Sequence, residues 1–93
     1  MAHWVYILRS KKDGKLYTGS TGNLMERLKR HNEGRERSTK NRAPFELVYF
    51  EEFNNRSEAV KREYHLKTLE GGPEKQKLIG DFPKEKLAEF DGL

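Results

Sequence analysis

The stretch "YTGSTGNLMERLKRHNEG", residues 17–34, decides the reading of this chain. It carries the end of a strand into a turn, runs on as a helix and stops at a glycine. Ser20 or Thr21 is placed to cap the helix, roughly residues 22–33, and Gly34 to end it. A helix turns about 100° per residue. With Leu24 at zero, Leu28 lies at about +40°, His31 at about −20° and Arg27 at about −60°. An arginine and a histidine therefore share the inward sector with two leucines, and at four residues apart they neighbour each other. Glu26, Lys29 and Arg30 fall elsewhere, as solvent residues should.

Upstream, "HWVYILRS" is rich in aromatic and β-branched residues and reads as a strand. Asp13-Gly14 is a hairpin signal, and "KLYTG" is the returning strand. A two-residue loop sets Tyr6 opposite Thr21 and Tyr17 opposite Ser10, so that Tyr6 and Tyr17 emerge on one face. Downstream, residues 35–44 form a basic loop closed by Pro44. "FELVYFEEF", 45–53, is a third strand, with Val48 and Phe50 on one face and Leu47 and Tyr49 on the other. "NNRSEAVKREYHLKTLEGG" is a second helix, with Asn55 and Glu58 as a capping box and Gly71-Gly72 as its stop. "PEKQKLIG" is a short third helix opened by proline. The order β-β-α-β-α-α predicts an α/β (α+β) domain, a small three-stranded sheet flanked by helices, over residues 1–80. Residues 81–93, with Phe82, Leu87 and Phe90 in a weak amphipathic pattern, read as a loosely packed or fraying tail.

Ninety-three residues leave room for one domain only. Ten aromatic residues argue for a packed core in a chain that is 37% charged. With no cysteine there is no disulfide and no thiolate metal site. The apolar run from Trp4 to Leu8 is too short for a signal-peptide core or a membrane span, which points to a cytoplasmic protein with no membrane partner. The net charge is +4, concentrated between Arg27 and Arg42, where seven Lys or Arg face two Glu. Arg27, Lys29, Arg30, Arg35, Arg37, Lys40 and Arg42 suit a polyanion such as nucleic acid, although a solvated helix end and loop accounts for them equally well.

The second helix repeats the oddity of the first. With Ala59 at zero, Leu66 lies near −20°, Val60 near +100° and Glu63 near +40°, between them. A carboxylate on an apolar face is costly unless paired, hydrogen-bonded or metal-bound. Each residue has an ordinary explanation: Glu63 as an ion-pair partner of Arg27, His31 as packing, the tyrosines as strand aromatics. Taken together, helical phase and strand parity aim Tyr6, Tyr17, Arg27, His31 and Glu63 at one concave surface, where clustered ionisable groups suggest function.

These residues resemble the GIY-YIG nuclease superfamily, and within it the small stand-alone bacterial UPF0213 proteins. Its first tripeptide is represented by Trp4-Val5-Tyr6 and its second by Tyr17-Thr18-Gly19, ten residues apart; Arg27, His31 and Glu63 match the helix arginine, the Tyr-or-His position and the late glutamate. The resemblance, over about residues 4–79, implies an antiparallel sheet and metal-dependent hydrolysis of phosphodiester bonds in DNA. It implies one Mg²⁺ or Mn²⁺ on Glu63, phosphate on Arg27, and Tyr6 as general base with Tyr17 and His31 beside it. A free tyrosine has a pKa of about 10, so the base role needs neighbours that favour phenolate. Two positions depart from the pattern. Ser20 stands where many active relatives have lysine, and no asparagine follows Asn55. The alternative is a weak or inactive nucleic-acid-binding module, acting within a repair or RNA-handling complex.

Overall fold

The computed structural model describes residues 2–69 and 72–90. Strands β1 (His3–Ser10), β2 (Leu16–Thr21) and β3 (Phe45–Phe53) form one antiparallel sheet in the order β2-β1-β3. Helices α1 (Leu24–Asn32), α2 (Arg56–Thr68) and α3 (Pro73–Asp81) flank it. The expected fold class and element order are those observed.

The sheet separates two apolar clusters. On one face Val5, Ile7, Val48 and Tyr49 pack with Ala59 and Leu66 of α2 and Ile79 of α3. On the other, Tyr6, Leu8, Phe45 and Leu47 pack with Leu24 and Leu28 of α1. Thus β1 is buried on both faces, which is why "VYIL" reads as a continuous apolar run. A 3-10 helix, Lys84–Phe90, brings Leu87 and Phe90 onto the α1 face, and Phe82 makes edge contacts with Tyr49 and Phe50. The remainder of the expected tail, 91–93, lies outside the described residues.

Four local readings are corrected. Tyr6 pairs with Gly19 and Tyr17 with Leu8, two residues away from the expected register. The Ser10 hydroxyl accepts from the backbone N–H groups of Lys12 and Asp13, and Asp13 accepts from that of Lys15. These bonds, with Gly14 at φ 74°, build a loop of four residues between Ser10 and Lys15 instead of two. A slip of two preserves parity, so Tyr6 and Tyr17 still share a face. The cap of α1 is Asn23, accepting from Glu26 N–H, because β2 extends through Thr21 and takes up Ser20 and Thr21. In β3 the ladder shifts between Ile7 and Leu8: Tyr49 faces Ile7 and Leu47 faces Leu8, leaving Val48 as an extra residue. Phe50 therefore joins Leu47, and Tyr49 joins Val48, reversing the expected partnership.

The other ends follow their signals. Gly34 at φ 73° terminates α1, its N–H bonding His31 C=O while Arg35 N–H bonds Arg30 C=O. Asn55 caps α2 by accepting from Glu58 N–H, and Pro73 opens α3. Of the expected stop of α2, Gly71 lies outside the described residues, and Gly72 is the N-cap of α3.

Candidate nucleic-acid interface

β2 is an edge strand whose two faces carry different chemistry. Its odd positions, Tyr17 and Gly19, face α1. There the Tyr6 hydroxyl lies 3.0 Å from His31 Nε2, and His31 Nδ1 lies 2.7 Å from the Thr39 hydroxyl. Neutral imidazole carries one N–H, so one of these two hydroxyls must donate to the ring. The Tyr17 ring centroid sits 5.0 Å from that of His31 and 6.3 Å from that of Tyr6. Gly19 makes this packing attainable: a Cβ there would stand 2.6 Å from the Tyr6 hydroxyl oxygen and 2.7 Å from its Cζ.

This cluster is dry and uncharged. Burial pushes His31 down to about 4; Glu36 opposes the shift, while Arg27 and Arg30 reinforce it. Burial likewise raises the Tyr6 phenol well above its ordinary value, Tyr17 adds to the rise and Arg27 opposes it. At neutral pH both are uncharged, an environment that disfavours the phenolate a Tyr6 base would need.

The even positions, Thr18 and Ser20, face α2 and α3. Ser20 pairs with Val5 and shares its face. Its hydroxyl donates to Glu63 Oε1 at 2.7 Å, and Lys67 Nζ lies 2.8 Å from Glu63 Oε2. The bond to Glu63 raises the Lys67 pKa. Farther along, the fully buried Lys75 donates to the Thr18 hydroxyl at 2.6 Å. The five expected site residues therefore approach the edge strand β2 from two sides of the sheet, with Tyr17 acting on Lys67 across that edge. Glu63 belongs to α2, which packs on the sheet face opposite the two tyrosines, and its carboxylate meets β2 from that side.

Arg27 is common to both environments. It influences Tyr6, and it also lines a cleft of about 290 Å³ with His3, Ser20, Arg56 and Glu63. Burial, then Arg56 and Arg27, lower the His3 pKa. Glu63 is the one carboxylate in this lining, against two guanidinium groups. The ordinary explanation of Glu63 as an ion-pair partner of Arg27 does not hold; Arg27 and Arg30 share Glu36 instead, at 3.6 and 3.0 Å.

A hard divalent cation is held by one or two carboxylates with water, and it competes for them with any ammonium already paired there. Here both Glu63 oxygens have donors, one an ammonium. No group of three His, Asp or Glu among the described residues offers another site. As arranged, these donors do not make a cation site.

The basic block is also more self-contained than its composition suggests. Arg35 pairs with Glu33 and Arg42 with Asp13, beside the Glu36 pairs of Arg27 and Arg30. Lys29, Arg37 and Lys40 are exposed and make no ion pair among the described residues. Sequence reasoning missed Thr39, Arg56 and Lys75. It also missed Lys67, although the spacing of Glu63 and Lys67 at i,i+4 was a readable signal.

The family profile for the GIY-YIG catalytic domain matches residues 2–77. The chain is a GIY-YIG domain. It is 49% identical over 78 residues to the UPF0213 protein OB0043 of Oceanobacillus iheyensis, covering 83% of this chain and 88% of that one. It is 52% identical over 68 residues to the UPF0213 protein CPE1444 of Clostridium perfringens, covering 72% of each. These similarities place it in the UPF0213 family. The solution structure of the UPF0213 protein BH0048 from Bacillus halodurans aligns over 99% of this chain and 87% of that one, with 38% identity and a TM-score of 0.49. Among the described residues, no helix of this GIY-YIG domain is long and apolar enough to cross a membrane.

Proposed function

We propose that this GIY-YIG domain binds the phosphate backbone of nucleic acid, DNA in the first instance, at the cleft beside β2, with hydrolytic capacity weak or absent. One observation carries the reading: the Glu63 carboxylate is engaged by Ser20 and Lys67 in a cleft whose remaining charged side chains, Arg27 and Arg56, are cationic. A guanidinium presents a planar fork that suits a phosphate. Lys29, Arg37 and Lys40 add charge that steers a polyanion without fixing its sequence. Such a role belongs in the cytoplasm, and it leaves room for a protein partner in a repair or RNA-handling complex.

The test is anisotropy of labelled duplex and single-stranded DNA over a salt series. Arg27→Ala and Arg56→Ala should each weaken binding and lower the log–log salt slope by about 0.9 on duplex DNA. Unchanged slopes in both variants would remove the cleft from the interface.

A second reading, metal-dependent endonuclease, is favoured by the joined Tyr6–His31–Tyr17 cluster and by the match to a catalytic-domain family. It requires that Lys67 leave Glu63. If that reading holds, Lys67→Met should increase Mg²⁺- or Mn²⁺-stimulated cleavage on a panel of duplex, branched and single-stranded substrates. No cleavage by either protein on any substrate supports binding without turnover.

A further inference from the structure

A second cleft lies on the α1 face of the sheet, and nothing in the proposed phosphate site uses it. Its volume is about 350 Å³. Trp4 of β1 and Phe50 of β3 supply its floor with Phe90, whose ring meets Phe50 edge-on at 5.6 Å between centroids. Glu52, the cross-strand partner of Trp4, and Glu89 stand exposed on its rim. Asn23, Leu24 and Met25 close the side at the start of α1. Met25 is 41% exposed, one of two large hydrophobic residues left open among the described residues.

The chemistry of this lining is opposite to that of the phosphate cleft. Its charged groups are carboxylates, which repel a polyanion. Its aromatic surface suits the apolar stem and flat head of an arginine, which stacks on rings and pairs with carboxylates. The first turn of α1 contributes partial positive charge that disfavours a cation, and Glu26 in that turn offsets it. We propose that this cleft binds an arginine side chain presented by a basic segment of a partner protein. Phosphate and partner would then occupy separate clefts. His3 lines one and Trp4 the other, as adjacent residues of β1 pointing to opposite faces.

Trp4 is the chain's one tryptophan, so its fluorescence reports on the cleft directly. The probe is a blocked Gly-Arg-Gly tripeptide titrated into the full chain, with the citrulline tripeptide as its uncharged control. A saturable change with arginine, absent with citrulline, is expected. The double variant Glu52→Gln, Glu89→Gln should bind about fivefold more weakly, since each exposed pair contributes modestly. Both glutamates are exposed, and a melting curve confirms that the double variant is folded. Equal responses to the two tripeptides would overturn the proposal, as would an unchanged affinity in the folded double variant. Sedimentation provides the remaining arm: self-association abolished by the double variant would replace the partner with a second copy of this chain.

Discussion

The two sides of β2 solve the same problem in different ways. Toward α1, the polar atoms of Tyr6, His31 and Thr39 are buried as neutral groups that hydrogen-bond one another. Toward α2, Glu63 and Lys67 keep opposite charges and remain partly open to solvent. The difference teaches where each side is sensitive. A neutral network in a dry place fails when one member becomes charged or is displaced. A half-exposed ion pair loses little when either partner goes.

The largest effect expected from this contrast is acid sensitivity on the α1 side. His31 ionises near 4 when folded and near 6.5 when unfolded, so between those values the unfolded chain binds more protons. The His31 contribution to stability is full above about pH 6.5 and should be lost as pH falls to about 4, about 3 kcal/mol in all. His3, also lowered, adds a contribution of the same sign. Urea denaturation of wild type and His31→Phe across this range isolates the His31 part, since the variant should lose most of the slope. Parallel slopes would mean that the dry α1 side does not govern acid stability.

Next in size is Gly19→Ala. Its Cβ must displace the Tyr6 ring tip, which is held by His31, and overpacking of this kind costs about 2 kcal/mol. Gly22→Ala meets only His3 at ordinary contact distance and should stay within about 0.5 kcal/mol of wild type. Thermal melting of the pair sharpens the comparison, and an equal loss in both would show that Tyr6 yields freely. Tyr6→Phe keeps the ring but removes the hydroxyl, at about 1 kcal/mol by melting. The smallest stability effect is expected on the other side. Glu63→Gln should change stability by about 0.5 kcal/mol or less. It should nevertheless tighten DNA binding in the anisotropy assay, because it removes the cleft's one carboxylate. A large drop in melting temperature with weaker binding would make Glu63 a structural anchor.

Periodicity made most of the architecture legible. The phase of Leu24, Arg27, Leu28 and His31 correctly placed His31 inside, because a helical wheel depends only on local geometry. The side of the sheet that α2 covers was not legible from phase. A wheel says which residues of a helix face inward, but the crossing of the chain decides which sheet face they meet. Glu63 is inward as expected, yet it reaches β2 from the face opposite Tyr17. The partners of Arg27 and Arg30 were hidden for a related reason. Glu36 sits in a loop, where no period predicts the direction of a side chain. Thr39 is buried from that same loop and left no trace in the pattern.

Val48 has a consequence measured in chain length. It is the one residue by which β3 exceeds its partner, and the strand is in step with β1 on either side of it. Deleting it would leave Leu47 on Leu8 and Tyr49 on Ile7 as successive pairs of a regular ladder. The segment 49–53 would keep its sides. Phe50 would stay with Phe82 and Phe90, and Glu51 with Arg62. A single-codon loss at this point is one the strand can absorb, whereas the loss of two residues there would exchange the inner and outer surfaces of half a strand.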